Sequence, residues 1–267
     1  MLRRHLIVLF VVNIIFALSG VILNLFVIAS LMKSSQLRKK LCHFMVVVIS
    51  FFDLINVITG QPLLLAELVL WMSEENKLLK DLEKYVRFTF AFVGSSLLAL
   101  LVMSIERYLG AYHPIFHQKS LTKRRLLLFL AFLIVLNIAM NRIATLNNVA
   151  RCAMYIVFSG LYLPPFLFVN YKLFTMSRKL SRDRATSFPT RQYRNLKSVS
   201  TCLLVVASVL ISSIPSFIFL SLNFGQKIES LAYRLSFAWA RTMFTMNCSL
   251  NCFIFFWKNN VLYIMKG

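Results

Sequence analysis

Apolar residues run through this chain in seven long stretches, each ended by a short cluster of charged and polar residues. The stretches cover roughly 6–32, 42–70, 85–109, 126–145, 152–176, 199–224 and 231–257. At 1.5 Å per residue, a helix of about 20 apolar residues crosses the roughly 30 Å hydrocarbon layer of a bilayer, and every stretch is long enough to do so. The pattern predicts an all-α membrane protein: a bundle of seven transmembrane helices in one domain over residues 1–267, with a short tail at 258–267. The first stretch follows Arg3, Arg4 and His5 as a signal peptide would, but it continues to about Met32 with no small-residue cleavage site. It is expected to remain as a membrane helix.

Composition agrees with the pattern. Hydrophobic residues make up 59% of the chain and mean hydropathy is +0.73, against about 45–50% apolar residues in soluble folds. The net charge of +21 raises the question of nucleic acid. The basic residues sit beside apolar runs, however, and do not form an exposed, aromatic-interleaved stripe, so no nucleic-acid partner is expected. They cluster after the first, third and fifth stretches: Lys33, Arg38, Lys39 and Lys40, then Lys119, Lys123, Arg124 and Arg125, then the run from Arg178 to Lys197. After the second stretch, Glu74, Glu75, Asp81 and Glu83 offset Lys77, Lys80 and Lys84. The excess of basic residues marks the cytoplasmic loops, which puts the amino terminus outside and the tail inside, with Arg3 and Arg4 opposing and outnumbered. Of the five cysteines, Cys42, Cys202, Cys248 and Cys252 fall in or at the edge of apolar helices and read as packing residues. Cys152 has no evident partner, so no structural disulfide is expected.

Ionisable and strongly polar groups at membrane depth are costly and are functional candidates by default. The set here is Asn24, Asp53, Ser96, Glu106, Arg107, Arg241, Asn247 and Asn251. Asp53, midway along the second stretch, requires a proton, a cation or hydrogen-bond donors. The four histidines, His5, His43, His113 and His117, lie at helix ends or in loops. No nucleophile with a base, and no cluster of metal ligands, is expected at depth, so the chain is not read as an enzyme.

The segment Glu106-Arg107-Tyr108, followed by Leu-Gly-Ala-Tyr-His-Pro114 and Ile115, resembles the (D/E)RY motif and second cytoplasmic loop of the rhodopsin-like, or class A, G-protein-coupled receptors. Asn24, Asp53 in Ser-Phe-Phe-Asp-Leu, Pro164 or Pro165, Pro215, Asn247 and Asn251 follow in the order that family requires. The resemblance implies a multi-pass receptor of the plasma membrane that binds an extracellular small molecule, lipid or peptide between its outer helix ends. It further implies that the receptor activates a heterotrimeric G protein through the cytoplasmic ends of helices three, five and six. It makes Glu106, Arg107, Tyr108, Pro114, Ile115, Asn195 and Pro215 the coupling and activation set. Asn195 stands where a second acidic partner of Arg107 often sits, which implies a weak resting lock and measurable basal signalling. Asn24, Asp53, Ser96, Asn247 and Asn251 fall on the family's buried polar site, where Asp53 and Ser96 would take part in holding Na⁺. A helix-to-helix hydrogen-bond network without an ion satisfies Asp53 equally well. No other cofactor is implied.

The chain also departs from the family. Ser213 replaces the tryptophan two residues before Pro215, the NPxxY segment reads Asn251-Cys252-Phe253-Ile254-Phe255, and Tyr171 falls seven residues after Pro164 instead of eight. Thr89 occupies the place of the amine-receptor aspartate and Thr245 that of the opsin lysine, which excludes an amine salt bridge or a retinal Schiff base there. Arg241 is expected to face the bundle, paired with Glu67 or engaging an anionic ligand. Thr89, Thr245, Glu67 and Arg241 are thus the expected pocket residues. No cysteine begins the third stretch, so the family's usual outer disulfide cannot form, in which respect the chain is similar to the melanocortin and lipid-receptor group. A transporter or channel is the alternative reading, as is a receptor fold that does not signal; a transporter predicts broken helices in a repeated half, and neither feature is evident.

Overall fold

The computed structural model describes residues 2–33, 41–73, 76–144, 148–182, 199–212 and 231–259. Helices account for nearly all of them: α1 (Leu2–Lys33), α2 (Leu41–Met72), α3 (Asn76–Tyr112), α4 (Pro114–Ser120), α5 (Lys123–Ala144), α6 (Asn148–Arg182), α7 (Val199–Ser212) and α8 (Leu231–Asn259). Among the described residues, α1, α2, the Ala91–Tyr112 part of α3, and α5 are long and apolar enough to cross a membrane. The expectations placed on Asn195 and Pro215, on the side chain of Cys152 and on tail residues 260–267 lie outside the described residues.

Two connections differ from expectation. The interval before the third stretch is helical from Asn76, because Asn-Lys-Leu-Leu-Lys-Asp-Leu-Glu-Lys is rich in helix formers and buries Leu79. The loop after α3 holds the short α4, which starts at Pro114. Proline fits the first helical position because its fixed φ suits the helix and its missing N–H would have had no partner. Pro62 in α2 and Pro164 and Pro165 in α6 do not end their helices, as membrane helices tolerate.

In the apolar spans, 67% of the α3 window is buried, against 22% in α1 and 17% in α5, which puts α3 at the centre and α1 and α5 at the rim. Leu98 to Met103 of α3 pack with Met45 and Ile49 of α2, Leu126 and Leu130 of α5, Tyr162 and Phe166 of α6, and Cys202 to Val209 of α7. A second seam joins Val27 and Leu31 of α1 to Cys252 and Phe255 of α8. A third gathers Leu6, Leu9, Leu68 and Ala238. Ile15, Leu18 and Ile22 of α1, and Leu128, Phe132 and Val135 of α5, are exposed. Apolar side chains turned outward on peripheral helices suit a lipid surrounding, where every backbone polar group must be satisfied internally.

Lipid tails are as apolar as leucine, so close packing and interhelical hydrogen bonds must hold such helices together. The α3–α5 contact shows both. Asn137 donates to the carbonyl of Ala91 at 2.8 Å and to Ser95 Oγ at 3.3 Å, and its own Oδ1 accepts from Asn141 at 3.1 Å. A Cβ added to Gly94 would stand 2.7 Å from that Oδ1. Because the amide is held at both ends, Gly94→Ala is expected to cost about 1–3 kcal/mol through overpacking. The check is the thermal midpoint of purified protein, with Gly160→Ala, whose Cβ meets nothing within 4 Å, as the comparison. Equal midpoints would remove Gly94 from the list of packing constraints.

Candidate functional site

Polar side chains gather at three levels of the bundle. The middle level is set by α2, α3 and α8. Ser96 Oγ donates to Asp53 Oδ1 at 2.7 Å, and Asn251 Nδ2 donates to Oδ2 at 3.2 Å. Asp53, Ser96 and Asn251 are all buried, so burial of the carboxylate is compensated by donors from two neighbouring helices. Asn24 does not reach Asp53. Its Nδ2 donates to the carbonyls of Gly20 at 2.9 Å and Cys248 at 3.0 Å, and its Oδ1 accepts from the Cys252 thiol at 3.0 Å. Asn56 donates to Cys248 Sγ at 3.3 Å.

The cysteines expected only to pack therefore also take part in the polar seam. Cys248 and Cys252 are one helical turn apart, the spacing that puts both on one face of α8. Cys42, Cys202, Cys248 and Cys252 are free thiols. Asn247 faces α7, where its Oδ1 accepts from Ser212 at 2.6 Å. Asn247 Nδ2 and Asn251 Oδ1 are buried with no hydrogen-bond partner among the described residues. Such orphaned atoms call for a water or an ion. No cluster of three His, Cys, Asp or Glu occurs among the described residues, which leaves the hard oxygens of Asp53 and Ser96 and the vacant Asn251 oxygen as donors. That set suits a hard cation better than a soft transition metal.

About 15 Å along α3 from Ser96, at 1.5 Å per residue, lies Glu106, which is fully buried. Arg107 Nε donates to Glu106 Oε2 at 2.5 Å, and Arg107 Nη2 donates to Oε1. A second partner residue comes from α4: His117 Nε2 lies 2.8 Å from Glu106 Oε1. The ring reaches it because it lies over Gly110, where an added Cβ would stand 3.4 Å from the imidazole. His117 had no role in the sequence reading beyond its loop position. Its only sequence signal was a histidine one turn after His113 in a segment that starts with proline. Tyr108 packs against Tyr112 with the rings tilted by 30° and their centroids 4.8 Å apart, and Tyr112 donates to the carbonyl of Lys172 in α6 at 3.0 Å. On the far side of α4, Ile115 and Phe116 are 70% and 53% exposed, beside Pro114, which is also exposed.

At the opposite end, about 21 Å along α2 from Asp53, Arg241 Nη1 donates to Glu67 Oε2 at 2.5 Å, and both residues are buried. A cavity of about 20 Å³ adjoins Arg241, lined also by Asn56, Gly60, Leu64, Thr89, Val93 and Thr245. Three of the four expected pocket residues thus share one cavity, and the fourth, Glu67, pairs with one of its walls. Tyr171, considered as the helix-five tyrosine, is 64% exposed on α6 and faces away from the bundle.

Residues 23–150 match the family described as 7 transmembrane receptor (rhodopsin family). None of the curated proteins matches the chain. The match supports the resemblance carried by Glu106-Arg107-Tyr108 and identifies what the chain is similar to: a membrane receptor of the rhodopsin-like kind.

Proposed function

With similarity to rhodopsin-like receptors as the premise, we propose that this chain is a plasma-membrane receptor with seven spans. Its amino terminus is outside, it binds a ligand at the Glu67–Arg241 end, and it activates a heterotrimeric G protein at the Arg107 end. The observation that carries the reading is the Glu106–Arg107–His117 cluster beside the exposed Ile115 and Phe116. A charge constellation closed on itself at the foot of the central helix, next to an apolar knob, is what a docking partner can open. Arg107 held by Glu106 is unavailable to a partner; Arg107 released can face one. The basic residues around that end, Lys119, Arg124, Arg125, Arg178 and Lys179, are exposed and agree with a cytoplasmic placement. Asn195 and Pro215 are proposed to complete the switch, with Pro215 as the hinge.

The test is expression with a panel of G proteins and a nucleotide-exchange readout. Expected is exchange above background with at least one G protein without added ligand, because Asn195 stands where a second acidic partner of Arg107 often sits in that family. Arg107→Ala should lower it at least tenfold. No exchange with any G protein at good surface expression would count against the receptor reading.

Asp53, Ser96 and Asn251, with Asn247 nearby on α8, are proposed to hold Na⁺ in the resting form. The ion would supply positive charge beside the Asp53 carboxylate, while Asn24 ties α1 to α8 next to it. Replacing Na⁺ in the medium by a large organic cation is then expected to raise basal exchange a few-fold, and Asp53→Asn is expected to abolish that difference. Identical basal exchange in the two media would favour the ion-free network.

A further inference from the structure

Among the described residues, Glu67 and Arg241 are the one place where buried side chains of opposite charge meet from different helices. We propose that this pair is the recognition element for a small zwitterion, a ligand with an ammonium and a carboxylate on the same or adjacent carbons. This rests on the receptor reading above and names the ligand class of that site.

Charge balance is the reason. Both groups have left water, and each is compensated by the other at 2.5 Å; a buried charge that loses its partner is strongly destabilising. A simple anion that took Arg241 would leave Glu67 buried and uncompensated. A simple amine that took Glu67 would draw that carboxylate away from the buried Arg241 guanidinium and bring no negative charge in its place. A zwitterion inserted between them sets its carboxylate against the guanidinium and its ammonium against the Glu67 carboxylate, so neither protein charge is stranded. A planar guanidinium is suited to a carboxylate in two-point contact.

The surroundings fit such a ligand. Thr89 and Thr245 bring hydroxyls and Asn56 an amide to the cavity wall beside Arg241, and hydroxyl and amide oxygens can accept the ammonium hydrogens that Glu67 does not take. Thr89 is neutral, so the site keeps one positive and one negative group. Gly60 and the apolar Leu64 and Val93 form the rest of the wall, and the cavity of about 20 Å³ has room for about one water. A ligand larger than that must therefore widen the cavity and part the pair, moving α2 and α8 relative to each other. Binding and helix displacement become one event, which is how a ligand at this end would bias the other.

The experiment uses the full chain in nanodiscs with two independent readouts, thermal midpoint for binding and nucleotide exchange for signalling. The probes are a panel of α- and β-amino acids. For the strongest hit, its N-acetyl derivative leaves only the carboxylate and its amide leaves only the ammonium. Expected is a hit that raises the midpoint, with both derivatives losing more than a hundredfold in potency. Glu67→Gln should narrow the gap between the hit and its N-acetyl derivative, and Arg241→Gln should narrow that between the hit and its amide. No shift with any zwitterion, or a derivative with one charge as potent as the parent compound, overturns the proposal. The derivative series needs no variant, so misfolding of a substituted chain does not affect it. A midpoint shift without any nucleotide exchange would retain the zwitterion site and refute the receptor reading. Basal exchange that depends on Arg107, with no zwitterion effect, would do the reverse.

Discussion

Glu106→Gln is expected to raise signalling of the unliganded chain about tenfold or more, read as second messenger at matched surface expression. Glu106 is fully buried and receives Arg107 through two nitrogens and His117 at 2.8 Å. Glutamine keeps the shape but removes the charge that holds Arg107. A hydrogen bond to a charged group contributes about 1.5–3 kcal/mol, and every 1.4 kcal/mol is a tenfold change in an equilibrium. His117→Ala should give a smaller rise in the same direction, because it removes one of the carboxylate's partners and leaves Arg107 in place. Arg107→Ala should be silent in either background, since the released guanidinium is the proposed coupling group. Unchanged basal output in both Glu106→Gln and His117→Ala would show that the cluster is structural and does not restrain activity.

Arg241→Ala is expected to be among the most destabilising single substitutions in the bundle. It strands Glu67, which is 3% exposed, and breaking a buried pair by removing one partner costs about 3–5 kcal/mol. With roughly 2–4 °C per kcal/mol for a chain of this size, the thermal midpoint of the purified protein should fall by roughly 6–20 °C. The double variant Glu67→Leu/Arg241→Met should recover most of that loss, because replacing both charges with apolar groups removes the desolvation cost along with the attraction. If the double variant is as unstable as the single one, the stability of this end depends on something other than the pair, and the charge-balance basis of the zwitterion proposal loses its support.

The polar residues at depth were legible one by one, because a charge or amide in an apolar run stands out. Asp53, Glu106, Arg107, Arg241 and Asn251 could each be picked out, and the pairing of Glu67 with Arg241 was among the readings their positions allowed. Partner choice was less legible. Asn247 and Asn251 are one turn apart on α8, yet only Asn251 meets Asp53 while Asn247 turns to Ser212 on α7. Cys248 and Cys252 looked like ordinary small core residues, and only the approach of Asn56 and Asn24 made them hydrogen-bonding groups. His117 could not be distinguished from a solvated loop histidine, because its role depends on α4 folding back over Gly110.

Sequence alone determined that the chain is helical and built for a bilayer, with long apolar runs bounded by basic clusters, because crossing hydrocarbon imposes a length and a composition that local sequence must satisfy by itself. It also located the Glu106-Arg107-Tyr108 segment, since a motif in consecutive residues survives without knowledge of neighbours. Tertiary structure decided that Asp53 is shared by Ser96 and Asn251, that His117 joins Arg107 on Glu106, and that Arg241 and Glu67 adjoin a cavity with Thr89 and Thr245. Those contacts join residues 11 to 198 positions apart, and how the helices rotate and pack against one another, which no single stretch of sequence encodes, selects which of the candidate partners meet.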